Sequence, residues 1–245
     1  MAGSVIVSGM VLSSMPVGDY DKRIVLLTKE RGKIVAFARG ARRPKSSLVA
    51  STDPFCFGRF EAYEGRNSYT VVKAEIDYYF RELTEDIDSL YYGYYFLELS
   101  EYFSAENIEA AQQLNLLFVT IKALLAAKLS RALIRIIFEL KLLVLNGTYP
   151  DLYNCKYCKR QNDLYWYEPS QYAIVCDRCD HSRNAIHLDP AAVYALQYIM
   201  GISIAKLYSF TVTDVILNQM QNVVSRILKA NTDRKFKTEA FLEET

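Results

Sequence analysis

Four cysteines stand where they could share one metal ion. Cys155 and Cys158 form a CxxC pair, Cys176 and Cys179 form a second, and seventeen residues separate the pairs. That separation lies in the window of four-cysteine zinc sites. Each CxxC turn presents two thiolates to one ion, and two turns complete a tetrahedral shell. A closed sulfur shell leaves no position for water, so the expected cofactor is a single structural Zn2+ rather than a catalytic metal. Four metal-free buried thiols or two disulfides are the competing readings, and the spacing favours metal. His181 and His187 read as neighbours of the site rather than ligands, His181 lying too close to Cys179 to replace it.

The second pattern is positive charge. Nine basic residues (Lys22, Arg23, Lys29, Arg31, Lys33, Arg39, Arg42, Arg43 and Lys45) occur within 24 residues that contain one acid, Glu30. Binding of single-stranded nucleic acid needs cations for phosphates and aromatic faces for bases. Phe37, Phe57 and Phe60 are candidates for stacking. The competing reading is a solvated basic face over core aromatics. Arg81 to Ala127 reverses the sign, with eight acids against two basic residues, so an anion-binding module is joined to something different. The net charge of +1 hides this asymmetry.

Enzymatic chemistry finds little footing. No GxxxxGK[ST] phosphate loop occurs, and two histidines in the whole chain leave little scope for a histidine-based triad or a hydrolytic metal centre. The chain reads as a non-enzyme. Tyr91, Tyr92, Tyr94 and Tyr95 read as core and interface. Lone Cys56 and the metal-spaced set point to a reducing compartment. No signal peptide or membrane span is apparent, and a cytoplasmic protein is expected.

Two kinds of element must position these residues. Ser4 to Ser13, Ile24 to Thr28, Lys33 to Arg39, Phe55 to Glu64 and Tyr69 to Asp77 read as five short strands, with one long gap from Gly40 to Pro54. Five strands in about 80 residues predict a small, partly open barrel of the oligonucleotide-binding (OB) type. Helical periodicity follows: a helix capped by Thr84 and running to Phe103, one capped by Ser104 and spanning 105–127, and one over 130–146 closed by Gly147. The cysteine segment, with two strands whose aromatics pack onto helices, precedes a helix opened by Asp189-Pro190 and a last one from Thr211–Thr213 to Asn231. The tail from Thr232 reads as frayed. The fold class is therefore α+β and multidomain: an OB-type barrel (1–80), helices (81–150), a zinc ribbon or knuckle inserted at 151–187, and further helices (188–245).

Two segments carry a resemblance. GMVLSSMPVGDYDKRIVLLTKERGKIVAFARGARRPKSS, Gly9 to Ser47, resembles the opening barrel hairpins of the bacterial recombination mediator RecO family, including its Gly-Ala-Arg-Arg loop. FELKLLVLNGTYPDLYNCKYC, Phe138 to Cys158, is similar to that family's helix leading into its cysteine pair. The order barrel, helices, cysteine insertion, helices extends the resemblance over nearly the whole chain. It implies binding of single- and double-stranded DNA, annealing of complementary strands, action with the ring protein RecR, contact with single-strand binding protein, and indirect help in loading RecA, all near the nucleoid. None of this needs nucleotide hydrolysis. Some members lack the cysteines, so the metal is expected to be structural. The DNA-binding role carries over to the nine basic residues above. Lys128, Arg131 and Arg135 are candidates for holding the tail of single-strand binding protein. An RNA-associated OB module and a zinc-stabilised scaffold without nucleic acid are the alternatives.

Overall fold

The computed structural model describes residues 3–242. Five strands, β1 (Ser4–Val17), β2 (Asp21–Thr28), β3 (Gly32–Ala38), β4 (Phe57–Glu64) and β5 (Tyr69–Tyr78), form a closed barrel in the order β1-β2-β3-β5-β4. The alternation along β3 shows why. Ile34, Ala36 and Ala38 are buried while Lys33, Val35 and Phe37 are partly exposed, the period-2 pattern of a strand with one face inside. The interior collects Val7, Val11, Ile24, Leu26, Ile34, Phe60 and Val71. The barrel is OB-type, and closed rather than partly open. β1 is long enough to pair with β2 at one end and β4 at the other, with a bulge between Val11 and Ser13 bending it. A short parallel seam, Ala36↔Tyr69 to Ala38↔Val71, joins β3 to β5.

The Gly40–Pro54 gap is a turn-rich loop that folds into one end of the barrel. Ala41 and Leu48 join the interior. Lys22 Nζ donates to Val49 O at 3.0 Å and Asp53 Oδ1 at 2.7 Å, fastening the loop to β2.

Among the described residues, six α-helices follow the barrel strands: α1 (Ile87–Phe103), α2 (Ala111–Ala126), α3 (Arg131–Leu145), α4 (Pro190–Gly201), α5 (Asp214–Ala230) and α6 (Glu239–Leu242). Between α3 and α4 lies a small sheet of β6 (Trp166–Glu168), β7 (Ala173–Val175) and β8 (Ile186–His187), ordered β7-β6-β8. The chain gathers into two compact units. The barrel, α1, α2 and the tail from Phe236 form one; Ala126–Lys235 forms the other. Neither unit coincides with one of the four sequence segments.

Three local expectations change. α1 starts at Ile87, after a 3-10 turn over Arg81–Glu85, and the Thr84 hydroxyl donates to Arg81 O at 2.8 Å within that turn. α2 starts at Ala111 rather than 105, because 105–110 is a non-helical segment, turning at Asn107 (φ 60°), that lies along the β2–β3 turn: Lys33 N donates to Ala105 O (3.0 Å), Asn107 N to Arg31 O and Ala110 N to Lys29 O (both 2.9 Å). The described part of the tail, to residue 242, is tied down, and residues 243–245 lie outside the described residues. Phe236 is buried, its ring meets Tyr95 and Tyr102 edge-on, and Glu98 accepts from the Lys237 and Thr238 amides. Phe241 stacks on Tyr91 with centroids 5.1 Å apart.

In the second unit, α3 begins at the expected cap. The Ser130 hydroxyl accepts from Leu133 N, and Gly147 at φ 70° closes the end in the left-handed region. Asp189 accepts from Ala191 N, with Pro190 in the first turn of α4. Lys141 is buried on α3, and its Nζ donates to the carbonyls of Ile199, Met200 and Ile202 at 3.2, 3.0 and 2.7 Å. It satisfies acceptors that the C-terminus of α4 leaves open.

Candidate metal centre and cationic barrel end

The cysteines are brought together by a hairpin and two tight turns. β6 and β7 pair antiparallel from Trp166↔Val175 to Glu168↔Ala173, and Cys176 follows β7 directly. The first turn is fastened beside it: Lys156 N donates to Ile174 O (2.9 Å), and Cys155 N to Arg160 O (2.7 Å). Lys159 takes the left-handed φ of 60° that closes this turn. In the second turn Cys179 N donates to Cys176 O at 3.2 Å.

The four sulfurs lie within 4.8 Å of one another, and Cys158 Sγ and Cys176 Sγ are 3.6 Å apart. Sulfurs placed tetrahedrally at about 2.3 Å from an ion would be about 3.8 Å apart, so the set fits one metal. Cys155 and Cys176 are fully buried; Cys158 is exposed. Burial works against ionising Cys155, yet hydrogen bonds from the Cys158, Cys176 and Tyr157 backbone outweigh it and bring the thiol down from 9.0 to about 6. Hydrogen bonding with Cys158, joined by desolvation and the remaining thiols, pushes Cys179 up to about 12. A cation bound among the four sulfurs would favour their thiolate forms. Trp166 extends the site outward. Its Nε1 donates to Asp177 Oδ1 at 2.8 Å, and its ring stacks on His181 at 3.9 Å. Among the described residues, the cluster of close-lying ligand atoms holds the four sulfurs and not His181. Tyr167, from the aromatic run of this segment, is fully buried.

The nine basic residues do not form one patch. β2 and β3 are a hairpin, and its two ends lie on the order of 25 Å apart for a strand of this length. Lys29, Arg31 and Lys33 sit at the Glu30-Arg31 turn. There Lys33 Nζ donates to Glu101 O (2.9 Å), and Arg31 stands 3.7 Å from Glu64. Lys22 is occupied by Val49 and Asp53. Arg23, Arg39, Arg42, Arg43 and Lys45 belong to the opposite end. Arg42 N donates to Tyr20 O and its Nη1 to Gly18 O, binding the Gly-Ala-Arg-Arg loop to the β1–β2 turn. Gly40 N donates to Asp21 Oδ1, and the Arg43 guanidinium lies 5.1 Å from the Tyr20 ring centre.

The aromatic candidates also separate. Phe60 is fully buried inside the barrel, and Phe57 packs on Phe118 at 4.7 Å. Phe37 remains on the outer face as the cross-strand partner of Arg23, in a row with exposed Met15 on β1. Tyr20, 52% exposed, is an aromatic that the charge pattern does not single out; only its position marks it, one residue before β2 in a Gly-Asp-Tyr turn. On α3, Arg135 Nε donates to Glu139 Oε1 at 2.6 Å and is mostly covered. No helix among the described residues is long and apolar enough to cross a membrane.

Comparison with known proteins agrees with this architecture. Residues 1–80 match the family model "Recombination protein O N terminal", and residues 84–240 match "Recombination protein O C terminal". A "DNA repair protein RecO" of Clostridium acetobutylicum is 32% identical over 230 residues, 91% of this chain and 90% of the relative. Proteins of the same name from Acetivibrio thermocellus and Symbiobacterium thermophilum are each 29% identical, covering 94% and 97% of this chain and 92% and 96% of the relatives. With both halves of the chain matched in order, barrel first and cysteine-bearing helical part second, the chain belongs to the recombination protein O family.

Proposed function

We propose that this protein is a non-enzymatic DNA repair and recombination mediator that binds single- and double-stranded DNA at the cationic end of its barrel. The observation that carries this is the gathering of Arg23, Arg39, Arg42, Arg43 and Lys45 around the β1–β2 turn, beside the exposed ring of Tyr20 and the half-buried ring of Phe37. Cations in several directions from one rim can neutralise phosphates, and the rings offer faces to unpaired bases. Annealing follows from the same arrangement. Two strands held on one positive surface repel each other less, and their bases remain free to pair. The relatives' printed name supports the repair role.

In this reading the four thiolates hold one structural zinc ion, which fits their number, spacing and closed shell. Lys22, Arg31 and Lys33 serve mainly the fold, because each is engaged with neighbouring groups. RecR, single-strand binding protein and, indirectly, RecA are the partners that the family resemblance supplies, and the setting is the cytoplasm around the nucleoid.

The test is a titration of fluorescent oligonucleotides against wild type and an Arg42→Glu, Arg43→Glu, Lys45→Glu variant at several salt concentrations. We expect at least tenfold weaker retention in the variant, and a log–log salt slope shallower by about 2, from three lost phosphate contacts on a single strand. Undiminished retention would remove the site from the loop.

A further inference from the structure

A cavity of about 470 Å³ opens at the far end of β5, away from the cationic rim. It is lined by Asp77, Tyr78, Tyr79, Arg81, Glu82 and Lys122, among others. Phe80 takes the left-handed φ of 51°, a conformation an aromatic residue enters at a cost. The turn it makes stacks Tyr78 on Phe80, with planes 17° apart and centroids at 5.6 Å, and sets Phe118 edge-on to both. Tyr78 and Tyr79 nonetheless remain 43% and 39% exposed. Lys122 Nζ lies 5.2 Å from the Tyr78 centroid, and the Arg81 guanidinium lies 4.8 Å from that of Tyr79.

We infer that this cavity is a second nucleic-acid contact that takes one unpaired nucleobase stacked on Tyr79. The inference rests on the function proposed above and deepens it. Its volume suits a small planar ligand. Its walls are aromatic, which every base can stack on. Its rim mixes two cations with two carboxylates. Base edges carry donors as well as acceptors, so carboxylates can accept from a ring N–H, such as thymine N3–H, or from exocyclic amino groups, while Arg81 and Lys122 reach carbonyls or the adjoining phosphate. A phosphate alone would favour an all-cationic rim, and Asp77 and Glu82 oppose an acidic peptide. The cationic rim meets β5 at its start, where Phe37 pairs with Thr70, and the cavity lies at its end. The separation is roughly 25 Å along the strand. A single strand crossing both is on the scale of the roughly 4–16 nucleotides that OB folds occupy. Such a contact holds a strand by one base while leaving its neighbours open for pairing.

The experiment compares two oligonucleotides of equal length, oligo-dT and a fully abasic strand, on the full chain. Tyr79→Ala should weaken oligo-dT roughly tenfold, on the scale of one base stack, and leave the abasic strand unchanged. Tyr79→Phe, which keeps the ring, should restore wild-type affinity. Leu125→Trp, which fills the cavity and leaves Tyr79 in place, should reproduce the selective loss. Equal losses on both strands, or no loss on oligo-dT, overturn the inference while the cationic rim stands. If the wild type retains neither strand, the function proposed above fails and this site with it. Saturable binding of an acidic peptide, abolished by Tyr79→Ala with oligonucleotide affinity unchanged, would assign the cavity to a protein partner instead and overturn the inference.

Discussion

Lys22 and Arg42 both belong to the basic run, yet they do different work. Lys22 is mostly covered and spends its ammonium on Asp53 and Val49, closing a loop onto the barrel. Arg42 is exposed and uses one guanidinium nitrogen to hold the β1–β2 turn. Charge counting treats them alike; burial and partners separate them. Cys56 shows the same separation among cysteines. Its thiol is buried in the barrel and donates to Ala50 O at 3.1 Å. Burial, aided by the Asp53 carboxylate, pushes it from 9.0 up to about 11. The native state therefore prefers the protonated thiol. That contribution is full below pH 9 and is lost as pH rises through 11, because the unfolded chain releases the proton first. We expect Cys56 to resist iodoacetamide at pH 8 in the folded protein and to react once urea unfolds the barrel, with mass spectrometry counting the labels. Rapid labelling of Cys56 in the native protein would contradict its burial.

At the scale of elements, the instructive case is the stretch after α1. Ser104 and the apolar periodicity beyond it read as a capped helix, but the Ser104 hydroxyl donates back to Ser100 O at 2.6 Å. The next six residues are recruited by the β2–β3 turn. The recruiting feature is Gly32, at φ 62°, where a Cβ would lie 2.3 Å from Ala105 O and 2.4 Å from Ile108 O. Both contacts are backbone and neither can yield cheaply. We therefore expect Gly32→Ala to destabilise the barrel unit by about 3 kcal/mol, from the positive φ and the clash together. A urea melt reads this directly, and an unchanged midpoint would mean the 105–110 segment is not seated on the turn. By contrast, Ser130, Gly147 and Asp189-Pro190 act as their residue types suggest, because each serves a partner within a few residues.

For the whole molecule, the division into two units predicts independent responses. Trp166 is the single tryptophan of the chain and bonds Asp177, next to Cys176. Its fluorescence therefore reports on the cysteine segment alone. A strong chelator, or a Cys155→Ser, Cys158→Ser change, should shift Trp166 emission to the red and lower the melting temperature of that unit, since a structural metal site folds with its ion. Oligonucleotide retention by the barrel should persist. Acid should assist the chelator, because protons compete for thiolates that the ion must hold together. A purified chain without bound zinc, and with emission unmoved by chelation, would count against the centre.

The sequence alone determined what depends on neighbours close along the chain or on spacing: the metal-ligand pattern, the helix caps, the strand periods and the excess of positive charge. Its family resemblance added an order of parts. Tertiary structure decided what depends on who meets whom at long range. β1–β4 pairing closed the barrel, and hairpin geometry split nine cations into two groups. The α2 residue Phe118 met Tyr78 and Phe80 from the end of the barrel, and Glu98 captured the tail. Those meetings are fixed by burial of apolar surface and by satisfaction of backbone groups, neither of which a residue's own type reveals.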